Sequence, residues 1–129
     1  MRILLDTNVF LWFTMDDSCL TDASKKLFLD GNNKLFLSIA SSWEIFIKLG
    51  TGKLVIASKD PAGFIKDQLA RNSIALLGIT YEHTAGLLSL PPIHKDPFDR
   101  IIIAQALHDN MPVLSSDSVF ADYGVRNLF

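Results

Sequence analysis

Residues 1–8 read MRILLDTN, and this stretch decides the fold. The apolar run Ile3–Leu5 is typical of a strand buried on both faces of a parallel sheet. The run ends at Asp6, whose carboxylate is costly to bury unless it finds a partner. Open α/β sheets bind ligands at the carboxyl ends of their strands, which makes Asp6 a candidate site residue. The alternative is that Asp6 only caps a short helix predicted over 8–13.

The composition indicates an ordinary globular chain. Its 129 residues are 49% hydrophobic, and we expect one domain spanning residues 1–129. No apolar run approaches the roughly 20 residues of a membrane span, and Asp6 and Asn8 interrupt the N-terminal stretch, which argues against a signal peptide. The single cysteine, Cys19, excludes an internal disulfide framework and favours a cytoplasmic location. The net charge of −2 argues mildly against a broad basic face for nucleic acid.

Short apolar runs alternate with longer helical patterns along the chain, which predicts an α/β fold. We expect further strands over 35–37, 75–79 and 111–114, and an added edge strand over 125–129. Three histidines lack the spacing of metal ligands, and we expect no zinc site among them: His83, predicted at the surface or in a helix cap, His94 and His108.

A predicted helix over 41–50 carries an acid among apolar residues. Glu44 lies next to Trp43 and within one turn of Ile47, so the pattern places it beside a packed face. Lys48 follows one turn later, and an ordinary i,i+4 ion pair is the alternative explanation for Glu44.

Two further acids stand where elements begin or end. In the stretch 96–100, DPFDR, Asp96 suits the N-cap, Pro97 the first helical position and Asp99 the third. Asp117 follows the apolar run that precedes Ser115, as Asp6 follows the first strand. The alternatives are that Asp99 makes a reverse capping bond and that Asp117 caps the turn over 118–123.

The four acids Asp6, Glu44, Asp99 and Asp117 form one site if the fold brings them together. Two carboxylates about 4 Å apart repel by roughly 4 kcal/mol at an effective dielectric of about 20. Such a cluster must share protons or hold a cation. Sites rich in carboxylate oxygens favour Mg²⁺ or Mn²⁺.

These motifs, taken in order, resemble the PIN-domain ribonucleases, and more narrowly the VapC-type toxins of toxin–antitoxin pairs. The resemblance covers essentially the whole chain. It is carried by residues 6–8 (DTN), 43–45 (WEI), 96–100 (DPFDR) and 115–117 (SSD). Support comes from Lys48 with residues 52–54 (GKL), and from residues 94–100 (HKDPFDR) followed by 104–106 (AQA). Ser115 stands where Thr is expected more often, and the hydroxyl is kept.

The resemblance implies a three-layer α/β/α fold with a central parallel sheet. It implies a Mg²⁺- or Mn²⁺-dependent endoribonuclease that leaves 5′-phosphate and 3′-hydroxyl ends, with Asp6, Glu44, Asp99 and Asp117 as catalytic and metal-binding residues. Asp6 and Asp99 would contact the metal most directly, Glu44 would bind a second ion or its waters, and Asp117 would act through water. It also implies a homodimer and a cognate antitoxin protein.

Supporting roles follow from the same resemblance. Four residues are candidates to hold the carboxylates in place: Thr7, Asn8, Ser38 and Ser115. Four basic residues are candidates to hold the RNA backbone or to offset the acidic charge: Lys48, Lys53, Lys95 and Arg100.

Two other functions are compatible with a strand that ends in an acid. A non-catalytic binding module would use the cluster for a structural ion. A haloacid-dehalogenase-like phosphatase would use Asp6 as a nucleophile, but it requires a second acid two residues later, where this chain has Asn8.

Overall fold

A computed structural model of the protein describes residues 1–129. The strands are β1 (Arg2–Leu5), β2 (Lys34–Ser38), β3 (Ile74–Leu77) and β4 (Val113–Leu114). The helices are α1 (Thr7–Thr14), α2 (Asp22–Leu29), α3 (Ile39–Gly50), α4 (Pro61–Arg71), α5 (Tyr81–Gly86), α6 (Pro97–His108) and α7 (Val119–Asp122), and a 3₁₀ turn covers Leu87–Ser89. No helix is both long and apolar enough to cross a membrane.

The four strands form one parallel sheet in the order β3-β2-β1-β4. The chain moves outward from β1 through β2 to β3 and then returns to place β4 on the other side of β1. The direction in which strands are added therefore changes at β1, since β2 lies on one side of it and β4 on the other. Open parallel sheets bind ligands at such a point, beyond the carboxyl ends of the strands. The central position of β1 agrees with its predicted burial on both faces.

Alternation along β1 divides the core into two layers. Ile3 and Leu5 pack on one face with Phe10 of α1, whereas Leu4 packs on the other face with Ile102 of α6. Helices thus cover both faces of the sheet, which confirms the predicted three-layer α/β/α architecture. Residues 101–106 of α6 are all buried, as their nearly continuous apolar sequence predicts.

Local capping chemistry explains the helix starts nearest the sheet edge. Asp96 accepts a hydrogen bond from the Phe98 amide at 2.8 Å, and Pro97 occupies the first turn of α6. This geometry puts Asp99 at the third helical position, as predicted. The cap at Asp96 therefore fixes the position of Asp99 beside the carboxyl ends of the strands.

The predicted edge strand over 125–129 is reduced to one isolated bridge, between Val113 and Asn127. At this bridge the Val113 amide donates to the Arg126 carbonyl, and the Leu128 amide donates to the Val113 carbonyl, both at 2.9 Å. The Asn127 side chain adds two bonds: its Oδ1 accepts from the Ser115 amide at 3.1 Å and its Nδ2 donates to the Ser115 carbonyl at 2.8 Å. Side-chain pairing of this kind is not visible in the apolar pattern of the segment.

Candidate acidic site

Asp6 lies at the carboxyl end of β1 with only 6% of its surface exposed. Its Oδ1 accepts a hydrogen bond from the Thr7 amide at 2.8 Å, so the capping alternative is correct as far as it goes. Its Oδ2 accepts a hydrogen bond from the hydroxyl of Ser115, which follows the neighbouring strand β4, at 2.7 Å. Asp6 is therefore held both by the first residue of α1 and by the residue that follows β4, which a capping role alone does not require.

The electrostatic surroundings of Asp6 disfavour its charged form. Burial, together with the nearby charges of Asp99 and Glu44, raises its pKa to about 6 against the opposing hydrogen bonds from Ser115 and Thr7. Three of the four predicted acids therefore share one electrostatic environment. A carboxylate in this position is stabilised by a proton or by a cation.

Asp99 projects from the first turn of α6 and is paired with a histidine. Its Oδ2 lies 2.7 Å from Nε2 of His94, so the predicted reverse capping bond is not the contact that its side chain makes. Burial raises the pKa of Asp99, and the charges of Asp96 and Glu44 act in the same direction while His94 opposes them. The same hydrogen bond to Asp99 raises the pKa of His94.

Glu44 projects from α3, and its side chain is 14% exposed. Its Oε2 lies 3.0 Å from Nζ of Lys48, which is the i,i+4 ion pair that the sequence offered as the alternative. The pair does not isolate Glu44 from the other acids, because the charge of Glu44 raises the pKa values of both Asp6 and Asp99.

Asp117 is the exposed member of the set. Its Oδ1 accepts from the Val119 amide at 3.0 Å, and its own amide donates to the Ser115 hydroxyl at 3.0 Å. Its side chain thus bonds the first amide of α7 from the position before the N-cap Ser118, close to the capping role that the alternative predicted, and it also lies beside the cluster. One ligand atom each of His94, Asp99 and Asp117 falls within 4.8 Å of the others.

We call this group the acidic site, and its members are Asp6, Glu44, His94, Asp99 and Asp117. His94 was not grouped with the acids from the sequence, because its spacing matched no pattern of metal ligands. The available signal was its position two residues before the helix cap Asp96. The side chain of a residue at that position can reach the first turn of the helix, where Asp99 lies.

Of the four predicted supporting residues, only two contact Asp6 directly. Ser115 donates its hydroxyl to Asp6, and Thr7 donates its amide while its hydroxyl bonds Ser41. Ser38 instead donates to Gln105, and the exposed Asn8 forms no hydrogen bond to the acids. Ser38 therefore joins β2 to α6 and does not support a carboxylate.

A basic cleft of about 520 Å³ opens beside the acidic site. Lys48, Lys53 and Lys95 line it together with Glu44. Lys53 and Lys95 are exposed and form no ion pair. Arg100 points elsewhere: its Nη1 donates to the carbonyls of Pro91 and His94 and to the Tyr123 hydroxyl. These bonds engage one terminal nitrogen of Arg100, and its candidate role in holding RNA or offsetting the acidic charge stays a prediction.

A second group of titratable side chains lies away from the acidic site, and we call it the histidine cluster: His83, His108 and Asp109. His83 is 2% exposed, so it is a capping residue as predicted and not a surface one. Its Nδ1 accepts from the Thr80 amide at 3.0 Å, which places the proton of a neutral ring on Nε2. That nitrogen lies 3.2 Å from both carboxylate oxygens of Asp109.

Comparison with known proteins identifies the family. The PIN domain family matches residues 3–125, and the chain belongs to it. No curated protein matches the sequence significantly. The resemblance found in the motifs is thereby confirmed at the level of the family.

Several solved structures share the fold at low sequence identity. VapBC2 from Rickettsia felis, bound to a DNA fragment from its promoter, has a TM-score of 0.72 at 14% identity and covers 98% of this chain and 97% of its own. VapBC-1 from nontypeable Haemophilus influenzae has a TM-score of 0.65 at 16% identity, covering 98% and 96%. A toxin–antitoxin complex from Klebsiella pneumoniae has a TM-score of 0.58 at 14% identity, covering 90% and 87%.

Proposed function

We propose that the protein is a metal-dependent endoribonuclease and the toxin of a toxin–antitoxin pair, of the VapC type. The observation that carries the proposal is the gathering of carboxylates from β1, α3, α6 and the end of β4 at one edge of the sheet. Membership of the PIN family and the likeness to toxin–antitoxin structures support the same function.

The residues present suit Mg²⁺ or Mn²⁺. The donors are carboxylate oxygens, which these hard cations prefer. Burial and, after it, the charges of neighbouring acids raise the pKa values of Asp6 and Asp99, and a bound cation would stabilise their charged forms. Asp6 and Asp99 would hold the ion most directly, Glu44 would hold a second ion or its waters, and Asp117 would act through water.

Bound in this way, the metal supplies Lewis acidity that activates water and offsets charge on the phosphate and the leaving 3′ oxygen. The chain's own residues set the geometry. Ser115 fixes one oxygen of Asp6, and His94 fixes one oxygen of Asp99. The basic cleft would hold the RNA backbone through Lys53 and Lys95. Lys48 partly offsets the negative charge of Glu44 through their ion pair.

A cleavage assay with a structured RNA pool tests the nuclease. We expect wild type to cleave with Mn²⁺ or Mg²⁺, to stop in EDTA and to leave 5′-phosphate ends by mass spectrometry. Asp6→Asn should be inactive. Asp22→Asn is the matched control, because it makes the same change at an exposed acid on α2.

Equal activity of wild type and Asp6→Asn would contradict the assignment of the site. Metal binding without cleavage of any RNA offered would favour the non-catalytic binding module. No observation favours a phosphatase, because position 8 carries an exposed Asn where that chemistry needs an acid.

The toxin role and its partners rest on a different observation. Helix α3 exposes Ile39, Trp43, Phe46 and Ile47, each at least 40% exposed, next to the basic cleft. Such an apolar surface is suited to a protein partner, either an antitoxin or a second copy of the chain. Light scattering after size exclusion should give a dimer mass, and induced expression in a bacterial host should arrest growth for wild type but not for Asp6→Asn.

A further inference from the structure

The loop before α6 is held by one hydroxyl group. Tyr123, which follows α7 and is 9% exposed, accepts hydrogen bonds at its oxygen from the amides of Ile93 at 3.1 Å and His94 at 2.8 Å. The same hydroxyl donates to the Pro91 carbonyl at 2.8 Å. Tyr123 thus contacts three residues of the segment 91–94, which lies about 30 residues away in sequence.

Arg100 holds the loop from the other side. Its Nη1 lies 3.1 Å from the Pro91 carbonyl, 3.3 Å from the His94 carbonyl and 3.1 Å from the Tyr123 hydroxyl. Because Arg100 belongs to α6, the loop is tied to the helix that carries Asp99. The backbone of His94 is therefore placed by contacts from both α6 and the end of α7.

This backbone position decides where the imidazole of His94 lies. Nε2 reaches Asp99 Oδ2 at 2.7 Å, and Oδ1 of Asp99 forms no hydrogen bond within the chain. One oxygen of Asp99 is thus fixed and the other is left for a ligand. Carboxylates that bind metals are oriented by hydrogen-bonded neighbours in this manner.

We propose that His94 is a positioning residue that orients Asp99 for metal binding, and that Tyr123 and Arg100 hold His94 in place. The inference rests on the proposed function, since it takes Asp99 as a metal ligand. Direct ligation by His94 is the competing arrangement, because His94, Asp99 and Asp117 lie close together. The hydrogen bond argues against ligation through Nε2, which is already engaged with Asp99, so ligation through Nδ1 is the arrangement that the measurement must distinguish.

The test measures Mn²⁺ affinity by electron paramagnetic resonance, without substrate. His94→Ala should weaken binding by about 10- to 100-fold, the usual cost of losing a neighbour that orients a ligand. His94→Gln should recover most of the affinity, because its amide N–H can donate to Asp99. Tyr123→Phe should weaken binding several-fold, because its ring still packs while the loop loses its hydroxyl contacts. His108→Ala, at an exposed histidine outside the acidic site, should change nothing.

Pulsed measurements on bound Mn²⁺ separate the two arrangements, because they detect nitrogen ligated to the metal. We expect no such signal in wild type, and a nitrogen signal that disappears in His94→Ala would overturn the proposal. Unchanged affinity in His94→Ala would also overturn it. If His94→Ala does not fold, as judged by its thermal melt, normal affinity in Tyr123→Phe together with poor affinity in His94→Gln would do the same.

The proposed function fails separately. If wild type binds no Mn²⁺ and does not cleave RNA, both the function and this inference fall. If wild type binds Mn²⁺ and cleaves RNA while the His94 and Tyr123 variants bind as tightly as wild type, only this inference falls.

Discussion

The acidic site and the histidine cluster both pair a histidine with an aspartate, yet their charge balance is opposite. In the histidine cluster, hydrogen bonds from His108 and His83 outweigh burial and lower the pKa of Asp109. In the acidic site, burial and neighbouring carboxylates outweigh His94 and raise the pKa of Asp99. A histidine–aspartate contact therefore does not itself indicate function.

The two regions differ in how much of their negative charge is offset by neighbouring groups. The Asp109 carboxylate is hydrogen-bonded to two histidines, His83 and His108. Because the Thr80 amide donates to Nδ1 of His83, the Nε2 of His83 carries the proton and donates to Asp109 rather than binding a metal. The acidic site keeps more negative charge than its neighbours offset. An excess of carboxylates at the carboxyl edge of a parallel sheet indicates a cation site, whereas a balanced cluster indicates a structural role.

The largest effect should be the difference in RNA cleavage between neutralising an aspartate of the acidic site and neutralising one of the histidine cluster. Asp99→Asn should reduce metal-dependent RNA cleavage by more than about 100-fold, because loss of a ligand exceeds the loss of a neighbour that orients one. Asp109→Asn makes the same change outside the site and should leave cleavage within about twofold of wild type. Initial rates with Mn²⁺ measure both, and equal losses in the two variants would remove the distinction between the regions.

The second effect concerns stability in EDTA. Folding raises the pKa of Asp6 from 3.8 to about 6, so between these pH values the folded protein holds a proton that the unfolded chain has released. Stability from this group therefore falls as the pH rises through that window. Asp6→Asn should stabilise the metal-free protein by about 1–3 kcal/mol at pH 7.5 and much less near pH 4. Urea unfolding at the two pH values measures the difference, and destabilisation at pH 7.5 would contradict it.

The third effect is smaller and opposite in sign. Asp109→Asn should destabilise the protein by about 1 kcal/mol at pH 7.5, because the charge-assisted bonds to His83 and His108 weaken. Since the pKa of Asp109 is lowered on folding, its contribution is present above the ordinary pKa of the group and is lost as the pH falls below it. The measurement is urea unfolding, and a stability gain at pH 7.5 would show that the histidine cluster is not balanced.

The smallest effect tests the basic cleft beside the acidic site. In the inactive Asp6→Asn background, Lys53→Ala should weaken binding of single-stranded RNA and reduce the salt dependence of log K by about 0.7. Lys66→Ala is the matched control, because Lys66 is an exposed lysine of α4 outside the cleft. Fluorescence anisotropy across a salt series measures both, and equal slopes for the two variants would exclude the cleft as the binding surface.

The parts of the fold that were predictable depend on interactions between near neighbours. The run Ile3–Leu5 predicted β1, and Asp96 with Pro97 predicted the start of α6, because burial pattern and capping act within a few residues. The predicted edge strand over 125–129 is present only as one bridge to Val113, and the pairing of the Asn127 side chain with Ser115 could not be predicted, because it joins residues that are 12 apart in sequence.

From the sequence alone, the α/β class, the resemblance to the PIN family and the four acids as candidate site residues could be predicted, because each depends on patterns or motifs within short segments. Three contacts became visible only in the folded chain: His94 pairs with Asp99, Arg100 bonds the Tyr123 hydroxyl, and Ser38 bonds Gln105 instead of an acid. Most of these pairings join side chains far apart along the chain. Their geometry is set by how helices pack on the sheet, which no local pattern of residues specifies.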